Sequence, residues 1–185
     1  MQIQALSLVA HAQGQFLLSL ILCFASLFPV PYAFQLPSVC AGSASFTFGG
    51  AASHDIPGSA LDRNDPKFEI KLKERRRDRI PYRIIGESWW PQEIPTEQEM
   101  QTGIDNLAKA DFTVDYVITH CCATDLQTAI VHYLNKPSKA DVLTDYFQAL
   151  EGKLHYKHWY FGHYHYYLQT DEKHTVLYND IIKLE

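Results

Sequence analysis

No aspartate, glutamate, lysine or arginine occurs in residues 1–54, and every formally charged side chain lies from Asp55 onward. So abrupt a change of composition joins two unlike segments. The chain also lacks an apolar run fit to cross a bilayer: residues 16–30 supply about 15 positions, against the roughly 20 that a spanning helix needs. A secretory signal has an apolar core of that size and a small-residue exit, for which Gly42-Ser43-Ala44 can serve, but it opens with positive charge, and this N-terminus has none. Three readings of residues 1–45 stay open: a degenerate signal or anchor, an out-of-frame or mis-started product, and an authentic core element of the domain. A cytoplasmic chain is expected, or a secreted or anchored one if residues 16–44 act as a signal.

Cysteine is scarce and unpatterned. Cys23, Cys40 and the adjacent pair Cys121-Cys122 form no CxxC or other spaced zinc pattern, and neighbouring cysteines rarely bridge each other, so free thiols in a reducing compartment are expected. An excess of positive charge is lacking too. A net charge of -5 and a pI near 6.0 give no field that would draw the chain to nucleic acid or to anionic lipid, so neither a nucleic-acid partner nor a membrane is expected. What remains, 46% hydrophobic and 20% charged over 185 residues, suits one domain with a sizeable core.

Ser45-Phe-Thr-Phe reads as a strand running into Gly49-Gly50, where glycine permits a tight turn, and Ser53-His54-Asp55 follows in a loop. Residues 67–79 are dense in Lys, Arg and Glu with only Phe68, Ile70 and Leu72 apolar, as in a solvated helix. Thr96 and Glu99 have the capping-box spacing and open a helix reaching about Ala110. Val114-Asp-Tyr-Val-Ile-Thr is a buried strand with His120 at its end. Ser138 is expected to cap a second helix through Ala149, stopped at Gly152. A strand beginning at His155 leads to Gly162-His163-Tyr164-His165, and a hairpin about Asp171-Glu172 closes the chain.

Of nine histidines, His120, His163 and His165 occupy positions suited to a metal site. Neutral imidazole ligates zinc, iron, manganese and their neighbours. On an extended segment His163 and His165 would project from one face with roots roughly 6.5–7 Å apart, suitable for two ions. Loops at the carboxyl ends of strands are where open α/β sheets bind ligands. His155 and His158 read as packed or surface residues, and His54, His132 and His174 have no partner pattern. Cys121 and Cys122 read as small buried hydrophobes, and Trp89-Trp90 as an anchor for its loop.

Phe46-Thr-Phe-Gly-Gly-Ala-Ala-Ser-His-Asp, Ser88-Trp-Trp, Val114-Asp-Tyr-Val-Ile-Thr-His-Cys-Cys and Trp159-Tyr-Phe-Gly-His-Tyr-His together resemble, in that order, the C-terminal part of bacterial calcineurin-like metallophosphoesterases. The resemblance spans residues 46–184. It implies an α+β or α/β fold, part of a four-layer αββα sandwich with a mixed sheet, in residues 46–185. It implies two divalent ions (Mn, Fe or Zn) that hydrolyse phosphomonoesters or phosphodiesters by a metal-bridging hydroxide. By that likeness His120 and His163 ligate the second metal and His165 the first. Families of this kind also carry Asp-X-His, Gly-Asp-X-X-Asp and Gly-Asn-His blocks, which supply a bridging carboxylate, an amide ligand and a leaving-group histidine. This sequence contains no Asp-X-His, Gly-Asp or Asn-His. The expectation is therefore an incomplete copy of a hydrolase, or else a non-catalytic module that binds at most one ion.

Overall fold

The computed structural model describes residues 43–52, 60–136 and 139–184, and, of residues 1–42, only the strand backbone at Ile3–Gln4, Ser7–Ala10, Phe16–Ser19, Cys23–Phe24 and Ser38–Cys40. The exit Gly42, the loop Ser53-His54-Asp55 and the expected cap Ser138 lie outside the described residues, as does most of the apolar run at 16–30. Among the described residues no helix is long and apolar enough to cross a membrane. The chain divides into two compact units, Met1–Ala51 with Pro95–Glu185, and Ala52–Ile94.

The first unit is built on a mixed sheet. Strands β1 (Ser43–Phe48), β2 (Tyr116–Thr119), β3 (His158–Phe161) and β5 (His174–Val176) run parallel in that spatial order, and β4 (Leu168–Gln169) lies antiparallel beyond β5. Ser38–Cys40 pairs antiparallel along the other edge. The β-branched and aromatic run of β2 is buried at all four positions, as befits the middle of a parallel sheet covered on both faces. Burial alternates along β3, and on one face of the sheet Phe46, Phe48, Val117, Trp159, Phe161 and Val176 join one hydrophobic cluster. Met100, Leu107, Ile130, Leu143, Phe147 and Leu150 of the helices fill the same cluster. On the opposite face Ile118 and Leu177 pack with Tyr160, Ile182 and Leu184. Ile182 belongs to a last strand, β6 (Ile181–Lys183), which pairs antiparallel with the strand at 16–19 in a separate small sheet.

In the second unit, helix α1 (Phe68–Arg77) turns Phe68 and Leu72 onto Leu61, with Tyr82 and Ile84 packed against them, and leaves Ile70 exposed. The solvated helix expected at 67–79 therefore forms, anchored by two apolar residues one turn apart.

Helix α2 (Glu97–Lys109) carries the capping box as read from sequence: the Thr96 hydroxyl accepts from the Glu99 amide at 3.2 Å, and the Glu99 carboxylate accepts from the Thr96 amide at 2.7 Å. Helix α3 (Thr124–Tyr133) was not anticipated, and its N-cap, Ala123, makes no side-chain cap bond. Helix α4 spans Val142–Glu151, starting later than expected. Asp141 is its cap, accepting from the Leu143 and Thr144 amides at 2.8 and 3.0 Å, while the Thr144 hydroxyl accepts from the Asp141 amide. A carboxylate cap with a hydroxyl at the third helical position makes that start the satisfied one. Gly152 ends the helix as expected. The hairpin about Asp171-Glu172 also forms, with Gln169 opposite Thr175 and Leu168 opposite Val176.

Candidate metal centre

Parallel β2 and β3 place Thr119 beside Phe161, so His120 and Gly162 leave the sheet side by side, and the Gly162 amide donates to the His120 carbonyl at 3.1 Å. Tyr178, just past β5, and Gly49-Gly50, just past β1, leave from the same carboxyl edge, with Gly50 at φ 99. This is the edge at which parallel sheets bind ligands.

The segment after β3 is not the extended ladder expected from alternation. His163 and His165 have φ of 73 and 54, and the Tyr164 amide donates to the Gly162 carbonyl at 2.9 Å. An amide bonded two residues back across a positive-φ residue is a strained γ-turn. The turn breaks the two-residue alternation and sends the two rings to different neighbours. His163 Nδ1 comes within 3.3 Å of His120 Nε2, the rings meeting edge-on with centroids 5.1 Å apart. His165 instead lies against the Tyr178 ring, 5.4 Å away and tilted 33°.

Two nitrogens on one tetrahedral zinc, each about 2.0–2.1 Å from it, are separated by roughly 3.3–3.4 Å. The His120–His163 separation matches that edge. The same distance suits a weak N–H···N bond between neutral tautomers, so the pair is satisfied with or without an ion. Among the described residues no group of three histidine, cysteine, aspartate or glutamate side chains is assembled to hold a metal. The donor set therefore fits one ion in part and does not fit two. Paired divalent ions facing only neutral imidazoles have no negative charge between them.

Beneath the rings the loop is pinned by buried polar contacts. Trp159 Nε1 donates to Thr119 Oγ1 at 2.7 Å, and that hydroxyl donates on to the Cys121 carbonyl. Tyr164, buried between the two histidines of the motif, donates to Gln127 Oε1 at 3.1 Å and meets Cys122 Sγ at 3.2 Å. Burial pushes the Cys122 thiol up to about 12, and the Cys121 thiol is raised by burial as well. Both stay protonated at neutral pH and are poor ligands, in line with their reading as small hydrophobes. Gln127 was missed from sequence because its helix was missed; Tyr164, inside the motif, was visible but assigned nothing.

The other histidines lie elsewhere. His158 Nε2 pairs with Thr175 Oγ1 at 2.9 Å and stacks on Tyr160, a packed residue as expected. His174, which shows no partner pattern in the sequence, is buried at the start of β5 and meets Asp171, Tyr156 and Glu151. Comparison of the chain with protein-family models, with curated proteins and with solved structures finds no match.

Proposed function

We propose that the chain is part of a metal-dependent phosphoester hydrolase, in which His120 and His163 hold one divalent ion and His165 stands toward a second. The observation that carries this reading is the His120–His163 nitrogen pair at 3.3 Å, held at the carboxyl ends of adjacent parallel strands by a strained turn. The resemblance of residues 46–184 to calcineurin-like metallophosphoesterases supplies the reaction class. The mixed sheet with helices on one face and β6 on the other is compatible with part of an αββα sandwich. A two-ion centre also needs carboxylates, and among the described residues no group of three or more such side chains is gathered with these histidines.

A second reading, a non-catalytic module that binds a single ion, is favoured by that same missing carboxylate. Hydrolysis of bis(p-nitrophenyl) phosphate with added manganese or zinc separates the two. The hydrolase reading predicts metal-stimulated turnover that falls at least about a hundredfold in His120→Ala, His163→Ala and His165→Ala but stays within about tenfold in His158→Ala. No metal-stimulated turnover in the wild-type chain, with one ion bound, would leave the module reading standing.

A further inference from the structure

At the amino edge of the sheet, opposite the paired histidines, the start of β5 carries a buried ring with acid on both sides. His174 Nδ1 lies 2.9 and 2.8 Å from the two Asp171 carboxylate oxygens, and its Nε2 lies 2.9 Å from the Tyr156 hydroxyl and 3.2 Å from Glu151 Oε1. Three separate pieces of chain meet there: the end of α4 through Glu151, the approach to β3 through Tyr156, and the β4–β5 turn through Asp171. Only an imidazolium donates from both ring nitrogens at once, so a carboxylate on each nitrogen fits the charged ring. Glu151 ends α4, where the exposed carbonyls also favour a positive charge.

We propose that Asp171, His174 and Glu151 form a pH-sensitive clasp that holds the β4–β5 hairpin to the end of α4 and loosens when His174 loses its proton. The hairpin matters because β4 fixes the far end of the segment bearing His163 and His165. Apart from its pairing with β5, the hairpin is closed by Thr170, whose amide donates to the His174 carbonyl at 3.0 Å and whose hydroxyl donates to it at 3.2 Å. Deprotonation leaves two carboxylates sharing one neutral ring, which can donate to only one of them.

The surrounding charges agree with that direction. Burial alone would lower His174, but its hydrogen bonds to Glu151 and Asp171 and their charges outweigh it, and the net shift is upward. The other titratable groups beside it among the described residues are Tyr156 and, on β3, His158, with the Lys173 ammonium of the turn over the Tyr156 ring at 5.4 Å. His158 moves the opposite way, lowered by burial and then by the charge on His174. A raised histidine contributes stability that is full below its ordinary value of about 6.5 and is lost as pH rises through the raised value. A lowered one contributes stability that is lost as pH falls through the lowered value. The hairpin is therefore tightest between the two.

Any effect on metal binding rests on the function proposed above; the clasp itself does not, and its test uses no metal. Imidazole nitrogen shifts of the 15N-labelled full chain should give His174 a midpoint above 6.5, and Thr170 amide protection should fall at least about tenfold through that midpoint. Asp171→Asn should lower the midpoint, and His174→Gln should remove the loss of Tm over the same interval. A His174 midpoint at or below 6.5, or Thr170 protection unchanged through it, would overturn the proposal even if neither variant folds.

Discussion

His163 shows how much one residue is made to bear. A non-glycine residue at φ 73 inside a γ-turn costs of the order of 1–3 kcal/mol, and only the position of its ring gains from the arrangement. Glycine adopts that backbone freely, at a cost of about 0.5–1 kcal/mol in unfolded-state freedom. Strain relief is the larger effect. His163→Gly should therefore be about 1 kcal/mol more stable than His163→Ala in urea unfolding of the metal-free chain, both variants having lost the ring and its contacts with His120 and Tyr164. A glycine variant no more stable than the alanine variant would show that the turn is not strained. The identity of this histidine was legible from the Gly-His-Tyr-His spacing. Its direction was not, because a two-residue alternation assumes extended backbone and nothing in the local sequence signals a left-handed histidine.

Among the elements, those with local signals were legible. The Thr96–Glu99 box, the β-branched run of β2 and the Asp171 turn each state their structure within a few residues. Helix α3 has no capping side chain and few buried contacts, with only Gln127 and Ile130 buried, so neither end nor face was marked. The α4 start was misplaced because Asp141 with Thr144 satisfies the helix better than a serine three residues earlier. The engagement of His174 went unseen because two of its partners, Tyr156 and Glu151, are brought to it only by the sheet and α4. Packing between α2, α4 and β1 also makes a prediction. A Cβ on Gly103 would sit 2.4 Å from Tyr146 Oη and 3.1 Å from Phe48 Cε2, and that hydroxyl is buried without a hydrogen-bond partner among the described residues. Helix propensity favours Gly103→Ala by about 1 kcal/mol, but overpacking costs about 1–3 kcal/mol and should prevail. Tyr146→Phe removes an unsatisfied polar atom and should be neutral or stabilising by up to about 1 kcal/mol. In that background the Gly103→Ala penalty should at least halve; an equal penalty in both backgrounds, measured as a double-mutant cycle, would rule out the clash.

At the scale of the whole molecule, parallel order separates the histidines by position. The carboxyl edge of the sheet gathers His120, His163 and His165, and the amino edge gathers His158 and His174. The mixed α/β character of the chain was legible from alternating strand and helix signals, and so were the three edge histidines. Their sorting into a close pair and a separate third was fixed by the turn and by Tyr178, which lies 13 positions from His165 in the chain. The most direct measurement is cobalt(II) titration of the full chain, followed by its visible absorption, with zinc competition to give affinity. One ion should bind through His120 and His163, and His120→Ala and His163→Ala should each weaken it at least about tenfold while His158→Ala leaves it unchanged. Binding that is absent in the wild-type chain, or indifferent to loss of either paired histidine, would contradict the metal centre.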